Sequence, residues 1–189
     1  MLTEQLNAQD QFESGMIANT GTGEQAKETG QYVIECFDKD GNLKWKDETH
    51  NLVVNVGLQY MAGVALTSTT QITAWYIGLY GAASSNNPAA TDTLAIHAGW
   101  TEITPYSGSR PSATFAAATN ANPSVVTNSA SKASFSINAT ATVGGAFLCS
   151  ASSGTTGTLF SAADFQSPGD RSVVSGDVLT VTYSFSLSA

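Results

Sequence analysis

The sequence predicts an all-β protein: an antiparallel β-sandwich or jelly-roll-like body with one short helix and an extended N-terminal arm. Three observations support this prediction. Apolar and hydroxyl side chains alternate along residues 178–188, many short apolar runs are separated by Gly-, Ser- and Asn-rich turns, and an Asp40-Gly41 pair joins two apolar runs. We place the arm at residues 1–30 and the body at residues 31–189.

The arm differs from the rest of the chain because it is rich in Gln, Glu, Gly and Thr. Alone, it has too few apolar residues to offset the entropy lost on ordering. It is either a disordered tail or an arm that becomes ordered on a neighbouring subunit, and we favour the arm. Its predicted partner-binding side chains are Leu2, Leu6, Phe12, Met16 and Ile17.

The first strand of the body, QYVIECF, is followed by the sequence DKDGN, which resembles the start of a calcium loop. Calcium loops of the helix-loop-helix kind have glycine at the sixth position and a bidentate glutamate at the twelfth. Here the glycine is the fourth residue, Gly41, and the twelfth residue counted from Asp38 is Thr49. The segment is therefore predicted to be a hairpin turn that leads into LKW, and no metal site is predicted.

The middle of the body contains one predicted helix and one covered strand. Asn55 is placed to cap a helix that runs to about Leu66. The run ITAWYIGLYG at residues 72–81 is nearly continuous in apolar residues, which is typical of a strand covered on both faces.

The second half of the chain has the alternation typical of strands with one buried face. It is clearest in SFSINATATV at residues 134–143 and in VLTVTYSFSLS at residues 178–188. GGAFLCS and GTLFS are shorter predicted strands between glycine-rich turns. No exact internal repeat is present.

The charge of the chain excludes some classes of partner. The net charge is −8, with only 7 Lys and Arg residues, whereas binding to a phosphate backbone requires clustered basic side chains. We therefore predict no nucleic-acid partner and no anionic membrane partner. Charged residues make up 12% of the chain, against about 25% in typical soluble domains, and Lys132 is the only one from Pro111 to Ala163. A surface so poor in charge is easily desolvated, which favours packing against neighbouring subunits.

The catalytic motifs that we considered do not fit this sequence. His50 and His97 lie in unrelated contexts without metal-ligand spacing, and no G-x-S-x-G motif occurs. A hydrolase that uses two carboxylates remains the enzyme alternative. The acids available for it outside the first third of the chain are Asp92, Glu102, Asp164, Asp170 and Asp177. We predict that the protein is not an enzyme and needs no cofactor or metal.

The N-terminus lacks the basic and apolar regions of a signal peptide, and no apolar run approaches the length of a membrane span. We therefore expect synthesis in a cytoplasm. Cys36 and Cys149 both lie in apolar, strand-like segments and are predicted to be buried free thiols, although their spacing leaves a disulfide open.

One aromatic cluster in the sequence is a candidate for surface contacts. Trp100 and Tyr106 lie near Arg110, a grouping that could form a sugar-binding surface. Packing in the core or at an interface is the favoured alternative, because aromatic residues are common anchors in both. Both residues are therefore predicted as interface aromatics.

Seven short motifs occur in a fixed order between about Tyr32 and the end of the chain. They are D-x-x-G-N-L (38–43), N-L-V-x-N-x-G-L (51–58), W-Y-x-G-L (75–79), G-W-T-E (99–102) before Arg110, G-A-F-L (145–148), G-T-L-F-S (157–161) and R-x-V-x-x-G-D-x-L-x-V-T-Y (171–183). Each motif alone has little specificity, but their order resembles that of a group of structural proteins of tailed bacteriophages.

The resemblance implies a virion structural protein, most like a capsid decoration or cement protein. Such proteins are typically β-rich homotrimers that bind the outer capsid surface and stabilise contacts between subunits of the major capsid protein. The implied location is the capsid surface of a virion assembled in a bacterial cytoplasm. The alternative is a tail, neck or fibre component, including a glycan- or receptor-binding module.

Overall fold

The computed structural model describes residues 26–81, 88–165 and 169–189, so the predicted partner-binding residues of the arm (Leu2, Leu6, Phe12, Met16 and Ile17) lie outside the described residues. The described residues form strands and one helix. In chain order these are β1 (Lys27–Phe37), β2 (Leu43–His50), β3 (Leu52–Val53), α1 (Asn55–Leu66), β4 (Tyr76–Gly81), β5 (Glu102–Ile103), β6 (Ser124–Thr127), β7 (Ala133–Ser136), β8 (Ala141–Cys149), β9 (Leu159–Asp164), β10 (Arg171–Val173) and β11 (Val178–Ser188).

The strands form two antiparallel sheets that pack against each other, which confirms the predicted all-β sandwich. In the first sheet the order is β2-β1-β11, and the far edge of β11 pairs with β7 along its first half and with β6 along its second half. In the second sheet the order is β3-β9-β8-β4-β5, and β10 pairs with the beginning of β8.

The main core lies between the two sheets. The alternation predicted in the last strand is confirmed, because its odd-numbered residues from Leu179 to Phe185 are buried and their even-numbered neighbours are less so. Tyr32 of β1 packs beside Tyr183 of β11, with ring centroids 4.6 Å apart. Both hydroxyl groups reach the buried Ser161 hydroxyl of the opposite sheet, at 2.9 and 3.3 Å, so a polar link crosses an otherwise apolar core.

The second sheet is also covered on its other face. Phe147 of β8 and Tyr80 of β4 pack there against Leu94 and Trp100, which belong to the loop segment before β5. This arrangement confirms a strand covered on both faces, but only over Tyr76–Gly81 and not over the whole predicted run at residues 72–81. Residues 72–75 precede the strand, and Ile72 and Trp75 are apolar because they pack beside α1.

Residues 134–143 do not form the single strand that their alternation predicts. Residues up to Ser136 belong to β7 in the first sheet, and residues from Ala141 belong to β8 in the second. Between them Ile137 is still buried, and the Asn138 N–H donates to the carbonyl of Pro105. The side chains keep their alternation while the backbone changes hydrogen-bond partners, so periodicity does not detect the crossing.

Helix α1 has the predicted bounds, but Asn55 does not cap it. The N-cap residue is Val54, and no side chain caps the N-terminus. Asn55 is the first helical residue, and its backbone N–H donates to the carbonyl of Ala90 at 2.8 Å. One of the backbone N–H groups that the first turn leaves without a helical partner therefore bonds to a loop 35 residues away. The local sequence does not reveal such a distant contact.

The DKDGN segment is the predicted hairpin turn between β1 and β2. Gly41 has a φ of 84°, a conformation that favours glycine. One carboxylate oxygen of Asp38 accepts the backbone N–H groups of Asp40 and Asn42, at 2.9 and 2.8 Å. The carboxylate that heads the calcium-like motif is therefore a turn acceptor.

Both cysteines are buried free thiols, as predicted. Cys36 lies in the first sheet between the two layers, and Cys149 ends β8 in the second sheet. Burial raises the pKa of the Cys36 thiol to about 12, with a further contribution from the nearby Asp177, and burial also raises the pKa of Cys149.

Candidate functional site

Three of the acids considered for catalysis contact side chains of other strands or loops. Asp92 accepts the indole N–H of Trp100 at 2.9 Å, Glu102 binds Arg110, and Asp164 accepts the Tyr80 hydroxyl at 3.3 Å. Burial raises the pKa of Asp164, and the Tyr80 hydrogen bond opposes that shift only in part. These contacts join strands and loops, which is the arrangement expected of structural carboxylates.

Asp177 stabilises the turn between β10 and β11. Its carboxylate accepts the ammonium of Lys44 at 2.5 Å and the backbone N–H of Val174 at 2.9 Å. Burial disfavours the charge on Asp177, but these two donors outweigh burial and hold the pKa of the carboxyl below its usual value.

Arg110 is a buried structural residue with all its donors in use. Its guanidinium binds both oxygens of Glu102 at 2.7 and 2.6 Å and the carbonyls of Ala151 and Gly154 at 2.8 and 2.7 Å. The remaining N–H points to the Cys149 sulfur at 3.6 Å. Five donors therefore meet five acceptors of this chain, and none is left for a ligand.

Trp100 and Tyr106 do not form a shared aromatic surface. Trp100 is 3% exposed on the outer face of the second sheet, where the His97 ring stacks on it at 3.7 Å. Tyr106 is 5% exposed and belongs to the core between the sheets, where it packs against Phe135. The two rings lie in separate clusters, so the protomer does not present them together to a sugar or a partner.

In residues 26–81, 88–165 and 169–189, no three His, Cys, Asp or Glu side chains are grouped so that they could hold a metal ion. Within the same ranges no helix has both the length and the apolar character needed to cross a membrane.

Within the described residues, helix α1 departs from an ordinary protein surface. Its sequence, NVGLQYMAGVAL, contains no charged residue, yet Gly57 is its only buried residue. A surface helix normally has a charged or strongly polar face, whereas the exposed polar residues of α1 are only Asn55 and Gln59. The helix is therefore a candidate for burial against another molecule.

The two sides of α1 have different surroundings. One side carries Tyr60, Met61, Val64 and Ala65, which line a groove at the end of the sandwich. The other side carries Leu58, Ala62 and Leu66, spaced four residues apart, and all three are exposed. We call this second side the outer face of α1; its Leu66 is 86% exposed.

The groove has a volume of about 390 Å³ and contains no charged side chain in its lining. The sheets contribute Leu148, Phe160, Tyr183 and Phe185 to its floor. These four residues also belong to the core between the sheets, so the groove is an opening into that core.

Trp75 connects the groove to the helix. Its ring lies edge-on to both Tyr60 and Phe160, with centroids 5.5 Å apart in each case. The Tyr60 hydroxyl accepts the backbone N–H of Ile72 at 2.8 Å, which holds the connection between α1 and β4 against the helix. The groove is therefore built from ordered contacts on both sides.

The comparisons with known proteins identify no relative. No family model matches the chain, and no curated protein or solved structure is detectably similar to it. Function is therefore inferred from the sequence and from the geometry of the fold.

The sequence predicted a charge-poor surface in the second half of the chain, but helix α1 was not predicted to be an interaction surface. The sequence does mark this region, because no Asp, Glu, Lys or Arg occurs between Glu48 and Asp92, a stretch that includes the whole of α1. The exposed Asn55 and Gln59 mark the outer face of α1 only weakly in the periodicity, because apolar Leu58, Ala62 and Leu66 share it.

Proposed function

We propose that this protein is a decoration or cement protein of a tailed bacteriophage. It binds the outer capsid surface as a homotrimer and stabilises contacts between subunits of the major capsid protein. The observation that carries the proposal is the outer face of α1, an exposed apolar surface on a helix without charge. The order of motifs between Tyr32 and the C-terminus supports the same assignment.

The outer face of α1 is the surface that docks on the major capsid protein. Burial of a fully exposed leucine side chain contributes ~1.5–3 kcal/mol. Leu66, which is 86% exposed, can contribute most of this, and Leu58, which is 38% exposed, a smaller part. Part of this energy offsets the lost freedom of the bound molecule. A net gain of a few kcal/mol per copy is repeated over the shell and opposes the pressure of the packaged genome.

The predicted arm adds a second contact with the neighbouring subunit. Leu2 and Leu6 lie farthest from the body in sequence, so they can reach beyond the footprint of the sandwich. We expect that deletion of residues 1–8 weakens capsid binding and leaves the body folded.

The first experiment measures copy number and position on purified virions of the phage that encodes this chain. Quantitative mass spectrometry against the major capsid protein, together with cryo-imaging, should find copies over the whole shell. A few copies at a single vertex would instead assign the protein to the tail or neck and overturn the proposal.

The second experiment tests the docking surface with capsids assembled without this protein. Wild-type protein should cosediment with them, and Leu66→Asp should weaken binding at least ~10-fold, because a charge would be desolvated in the contact. The matched control is Leu43→Asp, at a position that is 54% exposed on β2. Equal loss in both variants, or no loss in Leu66→Asp, would show that the outer face of α1 is not the docking surface.

A further inference from the structure

The groove beside α1 leaves the core of the sandwich open. Tyr183, Leu148 and Phe160 on its floor are at most 7% exposed and belong to the main core. At the rim Leu187 is 44% exposed, although it lies on the same face of β11 as the buried residues. Among the described residues, no further apolar element covers the core at this end.

The N-terminal segment reaches the body at this same end. Lys27, the first residue of β1, pairs with Ser188, and the next pair is Glu28 with Leu187. Leu187 lines the groove, so the N-terminal segment joins β1 beside the groove. A segment of 25 residues lies before the described part of the chain.

That segment contains apolar side chains suited to the groove. Phe12, Met16 and Ile17 fall within six consecutive residues, and the ten residues that follow Ile17, up to Lys27, include Gly21 and Gly23. An extended chain of ten residues spans up to ~35 Å, so the tether is long enough to turn back on the body. A short covalent tether also gives an effective concentration of about millimolar, which favours the chain's own groove over that of another copy.

We propose that residues 12–17 of the chain occupy the groove of their own protomer and close the open end of the core. Phe12, Met16 and Ile17 bury their side chains against the aromatic floor. Leu2 and Leu6 lie beyond the docked segment and stay available to a neighbouring subunit. This inference goes beyond the capsid role and does not depend on it, since the docking closes the protomer itself.

Crosslinking tests the occupant directly. In full-length protein Met16→Cys is combined with Ala65→Cys on the groove side of α1, and a short bis-maleimide is added at low protein concentration. The buried Cys36 and Cys149 are retained. We expect an intramolecular crosslink between residues 16 and 65, identified by peptide mapping of the monomer band. The control pair is Met16→Cys with Leu43→Cys, because Leu43 lies at the opposite end of β1 from Lys27.

Three results separate the possibilities. A 16–65 crosslink that greatly exceeds the 16–43 crosslink supports the proposal. A 16–65 crosslink that joins two chains would overturn it in favour of exchange of the segment between copies. Equal or absent crosslinking of both pairs would overturn docking altogether and leave the groove for a partner or an apolar small molecule.

Thermal unfolding gives an independent test. Replacement of Phe12, Met16 and Ile17 by serine should lower Tm by roughly 4–8 °C, since a loss of 1 kcal/mol shifts Tm by about 2–4 °C at this size. The control Leu2→Ser with Leu6→Ser should keep the wild-type Tm. An unchanged Tm in the triple variant would overturn the proposal. The capsid role is judged separately, because cosedimentation of the Leu2/Leu6 control tests it without changing the groove.

Discussion

Gly57 of α1 lies directly against the backbone carbonyl of Phe160 in β9. A Cβ atom built on Gly57 would stand 2.3 Å from that carbonyl oxygen. The helix therefore approaches the second sheet backbone to backbone at its first turn, and Val54 N–H adds a hydrogen bond to the same carbonyl at 3.1 Å. This contact positions α1 so that one side lines the groove and the other is exposed.

We expect Gly57→Ala to lower the free energy of unfolding by about 1–3 kcal/mol, because the added methyl meets backbone that cannot move aside. Urea denaturation measures the effect. The control is Gly63→Ala, where the new Cβ would meet Thr69, with Oγ1 at 2.6 Å and Cβ at 3.2 Å. The hydroxyl can rotate away, and a shift of a few tenths of an ångström in the exposed segment that carries Thr69 relieves the rest. There the gain in helix propensity of up to ~1 kcal/mol should dominate. Equal stability of the two variants would contradict the close approach at Gly57.

Much of the fold could be predicted because burial on one face imposes a period of two on the sequence. The last strand shows this in its alternation from Leu179 to Phe185, and the hairpin turn followed from glycine at position 41. The crossing between β7 and β8 could not be predicted, because alternation reports which side chains are buried and not which backbone groups pair.

The candidate site was harder to predict than the fold. Whether Trp100 is exposed depends on contacts with Tyr80 and Phe147, which are distant in sequence. The exposure of Leu58 and Leu66 depends on which side of an apolar helix faces the sheet, and the glycine contact at Gly57 decides this. Composition indicated a surface suited to packing, but three-dimensional contacts were needed to locate it.

The second prediction concerns Asn128, which fills a gap in the first sheet. It is fully buried between β6 and β7, where its amide donates to the Val181 carbonyl and accepts the Tyr183 N–H, at 3.2 and 2.7 Å. Asn128→Ala leaves the Val181 carbonyl and the Tyr183 N–H without these partners, and each lost partner costs ~1–3 kcal/mol of stability. We expect a loss of at least ~2 kcal/mol in urea denaturation.

The matched control is Asn138→Ala. Its side chain is exposed and makes a single hydrogen bond to the Ser107 hydroxyl. Exposed substitutions of this kind usually change stability by no more than ~0.5 kcal/mol. If both asparagine variants lost the same small free energy of unfolding, the Asn128 side chain would not be replacing backbone pairing in the sheet.

The third prediction is a pH dependence from Asp177. Its folded-state pKa is lowered, so its stabilising contribution is fully present above the unfolded-state value of about 3.9. That contribution is lost as pH falls through the lower folded-state pKa. Asp177→Asn should therefore be less stable than wild type by ~1.5–3 kcal/mol at pH 7, and the difference should shrink below about pH 4.

The comparison variant for Asp177 is Asp40→Asn. Asp40 pairs with Lys39 on the surface, and both side chains are largely exposed, so the pair should contribute little. Urea denaturation of the three proteins between pH 3 and pH 7 measures the differences. A deficit in Asp177→Asn that stayed constant down to pH 3 would show that packing, and not the charge, is responsible.

The fourth prediction concerns the reactivity of the two thiols. At pH 8 a thiol with a pKa of about 12 is ionised to only ~10⁻⁴, and Cys36 is also fully buried. We expect neither Cys36 nor Cys149 to react with Ellman's reagent in the native protein, and both to react in denaturant. Ser153→Cys, at an exposed loop position, should supply one fast-reacting thiol as the positive control. Fast labelling of Cys36 without denaturant would mean that β1 opens locally from β11, since the two strands pair along the whole of β1.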